Sequence, residues 1–214
     1  PQCGAEYSNC NDERKVYFMH PSTKALTAFT YPALQAAGLD GDGKFSTACS
    51  ASRLSQCSSL TADQKTLANT GKHLVNFLRG DATYETTNGS NPLFRLRHSA
   101  LGDIANGTPA FAGKPPFQYT DAGYSDFVAA QASRTKVVYV AANDGMLHAF
   151  SAARSAPGSD GGTELWAFVP SMVLPHLYRL ADTEYTTRHR FYVYEHPVVS
   201  DNKVGRNSKT ILIG

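Results

Sequence analysis

Residues Val137 to Pro170 carry three successive strand signals with turn chemistry between them, and this alternation constrains the fold more than any other part of the chain. Val137 to Ala141 is β-branched, aromatic or apolar at both parities, as expected of a strand covered on both faces. Asn143, Asp144 and Gly145 follow, residue types that tolerate positive φ and close tight hairpins. Met146 to Phe150 reads as the returning strand. After a loop rich in Ser, Gly and Pro, Glu164 to Val169 reads as a third strand carrying Trp166, the only tryptophan. Short strands, Asp-Gly turns and a recurrent aromatic are the signature of radially stacked four-stranded sheets.

The fold class expected from this pattern is mainly β with a few short helices: a partial β-propeller preceded by an α+β segment. Residues 1–92 are expected to form that variable segment, and residues 93–214 the first part of the propeller, incomplete at its C-terminal end. Both ends read as interruptions, so the chain is expected to be a fragment of a longer protein. Arg14 to Phe18 and Ala25 to Tyr31 suggest a hairpin turning at His20 to Thr23. Thr61 with Gln64 forms a capping box, and Leu67, Gly71, Leu74, Val75 and Leu78 keep helical spacing, predicting one helix near 61–79 that ends at Gly80. Short strands are expected at Phe94 to His98, Leu101 to Ile104, Arg190 to Tyr194 and Lys209 to Ile213, with a turn at Gly205. A short helix capped by Ser171 is expected to run to Leu180.

Composition excludes some function classes. With 42% apolar and 18% charged residues and a net charge of +2, the chain has no electrostatic footprint for nucleic acid or an anionic membrane. No apolar run reaches the ~18 residues of a membrane-spanning helix. Cys3 and Cys10 lie close together, as do Cys49 and Cys57, without the spacing of a zinc set. Local disulfides, and hence an oxidising compartment, are favoured over free thiols, with the connectivity left open.

The strings YVAANDGMLHAFSA, GTELWAFVPS and LYRLADTEYTTRHRFYV, with LRGD and FRLRHSALGDIANGTPAF ahead of them, resemble the C-terminal propeller region of PilY-type proteins, called PilC in some bacteria. The resemblance covers roughly Gly71 to Gly214. It implies a non-enzymatic factor of type IV pili, exported through the periplasm to the pilus tip or cell surface. The implied work is pilus assembly, retraction control and twitching motility, with adhesion to host or abiotic surfaces and minor pilins as partners. Two positions depart from the family's pattern: Ser151 stands where Asp is common, and Tyr194-Glu195-His196 where an Asp-Gly-Ser turn is common. The DxSxS adhesion motif of some members is absent, and calcium, held by some members in a later acidic loop, is expected only in the longer protein.

Within the chain itself no cofactor, metal ligand set or catalytic residue is expected. Asp40-Gly41-Asp42-Gly43-Lys44 puts Lys44 where a calcium loop needs a ligand and reads as a solvated turn. Arg79-Gly80-Asp81 could engage an integrin if displayed on a mobile loop, but the first two residues also serve a helix end. His148 alternates with apolar neighbours and reads as a packing residue rather than a base. The rival reading is part of a pyrroloquinoline-quinone-dependent dehydrogenase, whose repeats share the DGxxxA and tryptophan pattern. That chemistry needs an aromatic platform and a carboxylate-held calcium, whereas Asn143, Asp144, Gly145 and Trp166 read as blade scaffold.

Overall fold

The computed structural model describes residues 14–86, 91–153, 160–204 and 207–214. In chain order its strands and helices are β1 (Val16–Met19), β2 (Leu26–Ala28), α1 (Tyr31–Ala36), α2 (Ala62–Ala68), α3 (Gly71–Leu78), β3 (Ala110–Ala112), α4 (Tyr124–Ala130), β4 (Val137–Ala142), β5 (Met146–Ser151), β6 (Glu164–Val169), β7 (Val198–Val204) and β8 (Asn207–Ile213). A 3-10 helix spans Leu174–Ala181. The chain is therefore sheet-rich with few, short helices.

β3, β4, β5 and β6 form an antiparallel meander in sequence order. Its outer edge is not left open. β1 pairs in parallel with β6, aligning Val16 with Ala167 and Phe18 with Val169, and the hairpin to β2 completes a six-stranded sheet. The sheet thus draws strands from both sides of residue 92. One face presents Val16, Phe18, Met146, Ala167 and Val169 to a core shared with Leu34 of α1, Leu74, Val75 and Phe77 of α3, and Leu174 and Leu177 of the 3-10 helix. Period-two alternation in β1 produces this division directly, since Tyr17 and Met19 point away from that core while Val16 and Phe18 are buried in it. Over the opposite face lies the β7–β8 hairpin, tied to β3 by Arg134, whose guanidinium donates to the Gly113 carbonyl and to Thr210 Oγ1 at 2.6 Å.

The single helix expected over 61–79 is two helices. The capping box of Thr61 and Gln64 is formed, but Asn69 ends α2 and turns its side chain to the backbone N–H groups of Cys49 and Ser50, at 2.8 and 3.2 Å. The chain restarts at Gly71, where a Cβ would stand 2.2 Å from the Tyr31 ring, so a close approach of α1 sets the break. Four other expectations fail. Of residues 94–104 only Phe94 makes a β-bridge, to Glu85, and residues 190–194 form no strand. Ser171 caps nothing; Val173 precedes the 3-10 helix without a side-chain cap. α1 and α4 were missed, although Pro32 stands in the first turn of α1, where its absent N–H costs no hydrogen bond. The expected turn at Gly205 lies outside the described residues.

Cys49 and Cys57 form a disulfide across a sequence separation of 8. Cys3 and Cys10 lie outside the described residues. The loop-closure relation gives about 2.5 kcal/mol for a loop of this length. Double replacement by Ser is therefore expected to lower the stability by about that amount in urea titrations, and an unchanged midpoint would show that the loop is already ordered without the bond.

Candidate functional site

Asn143, Asp144 and Gly145 close the β4–β5 hairpin as a three-residue loop. Only Gly145 takes positive φ, +88°, and its Gly145 N–H returns to the Ala142 carbonyl at 3.2 Å. Glycine is required here twice over, because a Cβ would also lie 2.3 Å from Leu177 Cδ2. Asn143 is 2% exposed and works as a staple. Its backbone N–H donates to the Asp103 carbonyl, its Oδ1 accepts from the Tyr192 N–H at 2.8 Å, and its Nδ2 meets His189 Nε2 at 2.7 Å. An amide Nδ2 can only donate, so His189 Nε2 is the acceptor in that last contact. The preceding loop is pressed onto the same turn: Gly102 donates to Asp144 Oδ2 at 3.2 Å, and a Cβ on Gly102 would stand 2.2 Å from the Asp144 backbone nitrogen.

Asp144 also opens a series of part-buried charges centred on the buried His148. Its carboxylate oxygens both lie 3.1 Å from His148 Nε2, while His148 Nδ1 lies 2.7 Å from Glu164 Oε1. Glu164 in turn takes a two-pronged contact from Arg14, at 2.6 Å to Nε and 2.8 Å to Nη2. Burial opposes the charge on each partner, but the bonds and charges outweigh it. His148, 1% exposed, is pushed up to about 9 by Asp144 and Glu164, and Glu164 is drawn down to about 2 by His148 and Arg14. His148 is thus buried, with each ring nitrogen facing a carboxylate of the fold. Glu164 and Arg14 were not singled out from sequence. Only the alternation of β6 hints at Glu164, and nothing local hints at Arg14.

Arg79 and Asp81 are engaged within the fold. α3 ends in a Schellman arrangement, with the Gly80 N–H on the Phe77 carbonyl, the Asp81 N–H on that of Asn76, and Gly80 at φ +110°. Arg79 is 8% exposed and donates to the carbonyls of Phe29, at 2.9 Å, and Arg14, at 2.7 Å, while Arg14 donates back to the Arg79 carbonyl. Asp81 accepts from the N–H and hydroxyl of Thr83. In this placement the tripeptide is a joint between α3 and the β1–β2 hairpin. Replacing Arg79 by Ala is expected to cost about 3 kcal/mol, because the buried Phe29 carbonyl and the part-buried Arg14 carbonyl lose charged donors. A thermal-melt shift of under 1 °C would contradict it.

The second face of the sheet carries an apolar cavity of about 640 Å³. Tyr17, Phe168, Leu147 and Ala141 form one row across β1, β6, β5 and β4, and Val193, Pro197 and Leu212 close the far side. Trp166 lies on this face and packs on Tyr139, ring centres 5.7 Å apart. Glu195 is the acidic residue of the lining. Asp42 of the glycine-rich loop pairs with Lys44 at 2.6 Å, and Asp40 accepts from the Phe45 N–H. Among the described residues no three His, Cys, Asp or Glu side chains converge as a metal site.

A family model described as the PilY1 beta-propeller domain matches residues 101–214, more than half of the chain. The chain belongs to the PilY1 β-propeller family. It is 40% identical over 161 residues to the type IV pilus biogenesis factor PilY1 of Pseudomonas aeruginosa strain PAK, covering 71% of this chain and 13% of that protein. It is 41% identical over 138 residues to a PilY1 homolog of Xylella fastidiosa strain Temecula1, covering 61% of this chain and 10% of the relative. The chain thus spans only a small part of the length of these PilY1 relatives. No solved structure matches it. The β3–β6 meander and the turn at 143–145 both fall inside the PilY1 match. Among the described residues no helix is long and apolar enough to cross a membrane.

Proposed function

We propose that this chain contributes the first part of a propeller to a type IV pilus biogenesis factor, and that it works as a rigid platform rather than as an enzyme. The observation that carries this reading is the four-stranded meander inside the matched propeller region, with one face sealed by helices and the other apolar and half open. On this reading β3 to β6 are one blade, β7 and β8 begin the next, and the segment ahead of residue 93 fastens the outer edge of the first. Stacked blades resist deformation, which suits a part that must hold its shape at a pilus tip while pilins are added or withdrawn. Minor pilins are the proposed partners, adhesion to host or abiotic surfaces the proposed second role, and export through the periplasm the proposed route. The Cys49–Cys57 bond supports an oxidising compartment. Calcium is proposed only for other parts of the longer protein.

The contact of Trp166 with Tyr139 on the sheet face supports its reading as blade scaffold over the quinoprotein alternative. The relatives are named as biogenesis factors, not as dehydrogenases. Capture of purified minor pilins by the full-length protein carrying this sequence tests the docking role. Retention is expected to fall at least tenfold when the whole propeller is removed, and equal retention by both forms would refute the platform.

A further inference from the structure

The charges around the buried His148 do more than pair locally. Asp144 sits on the β4–β5 turn, His148 on β5, Glu164 at the start of β6 and Arg14 just ahead of β1, so four alternating charges run in one line from the turn to the N-terminal segment. The line continues, since Arg14 and Arg79 exchange guanidinium-to-carbonyl bonds and Arg79 also holds Phe29. At its other end Asp144 holds the Gly102 N–H and the Met146 N–H. A neutral imidazole has one donor and one acceptor, so it would point a lone pair at one of the two carboxylates; only the doubly protonated ring satisfies both. We infer that His148 is an imidazolium throughout the neutral range and joins the 143–145 turn to the N-terminal segment, so that the two are held or released together.

The surroundings support the charged form. Asp144 faces the ring from the turn and Glu164 from β6; the Phe150 ring stacks 5.7 Å away on β5 at an interplanar angle of 14°. Arg14 lies beyond Glu164, and Arg97, held by Glu85 at 2.7 Å, feels the charge of Asp144. Losing the ring proton would leave two carboxylates against an imidazole that can serve one of them. Loss of the ring proton therefore breaks the line at its centre, parting the 143–145 turn from Glu164 and the N-terminal segment.

Two measurements test the inference. In a two-bond nitrogen–proton correlation spectrum of the unmodified protein, both ring nitrogens of His148 are expected to be protonated from pH 6 to pH 8. A tautomeric pattern with one bare nitrogen at pH 7 would overturn the inference. In a double-mutant cycle, Asp144→Asn and Arg14→Gln, at the two ends of the line, are expected to be non-additive by at least tenfold in the unfolding equilibrium constant. Additivity within twofold would show two independent pairs instead of one unit. Should either variant fail to fold, the spectrum on the unmodified protein still decides whether the ring that joins them is charged.

Discussion

Replacing Glu164 by Gln is expected to be the most damaging single change in the charged line. It removes the common partner of two cations, the part-buried Arg14 and the buried His148, which keep the Arg79 carbonyl and Asp144 respectively. Breaking a fully buried pair by deleting one partner costs about 3 to 5 kcal/mol, and the part-buried setting with the partners that remain puts this change at the low end, about 3 kcal/mol. The same group sets the pH dependence. His148 is raised from 6.5 to about 9, so its contribution is complete below about 6.5 and is lost as the pH climbs through about 9. Glu164 is lowered from 4.5 to about 2, so its contribution is complete above about 4.5 and is lost as the pH falls toward about 2. Urea titrations across pH should show a plateau between these limits with a decline on each side. In the Gln variant the acid decline from this group disappears, while His148, with one carboxylate fewer, loses its charge at lower pH. A variant as stable as the unmodified protein, with the same profile, would remove the line of charges from the account.

Gly102→Ala is the second large expected effect. The added Cβ would stand 2.2 Å from the Asp144 backbone nitrogen and 2.8 Å from the Asn143 carbonyl carbon. These are main-chain atoms of a hairpin that is itself fixed by Leu177 against Gly145, so no rotamer change relieves the contact. Overpacking of this kind costs about 3 kcal/mol. Gly38→Ala is the control: nothing lies within 4 Å of the added carbon there, and only the positive φ of +71° is penalised. That strain is worth about 1 kcal/mol. Chemical denaturation should therefore separate the two substitutions clearly. Equal losses would mean that the 99–103 loop is not seated on the turn.

The turn and the strands around it were legible in sequence because their signals are local. β-branched and aromatic runs at Val137 to Ala141 and Glu164 to Val169, punctuated by Asn143-Asp144-Gly145, read as strands and hairpin without any knowledge of the rest. The parallel seam between β1 and β6 was not legible, since nothing in Val16 to Phe18 specifies a partner 151 residues away. Arg14 and Glu164 are invisible for the same reason, being 150 positions apart and ordinary in their own neighbourhoods. The break between α2 and α3 was hidden because the helical spacing continues across it; the interruption is imposed from outside, by Tyr31 against Gly71 and by the Asn69 side chain. Arg97 shows how a strand signal was overridden. Its guanidinium turns back to Glu85 and to the carbonyls of Phe77 and Asp81, holding residues 94–98 against α3 instead of in a sheet.

These details bear on function through rigidity. The PilY1 match begins at residue 101, yet the meander inside it is edged by β1 and tied through Arg14 and Arg79 to helices ahead of the match. In the proposed platform, force would pass through these hydrogen-bonded and ionic joints. The measurement that bears most directly on the proposed role is surface piliation of cells whose full-length protein lacks this propeller in frame, with the truncated protein produced at normal level. The account predicts that sheared pilus fractions fall to a small fraction of the wild-type amount; wild-type piliation would contradict it.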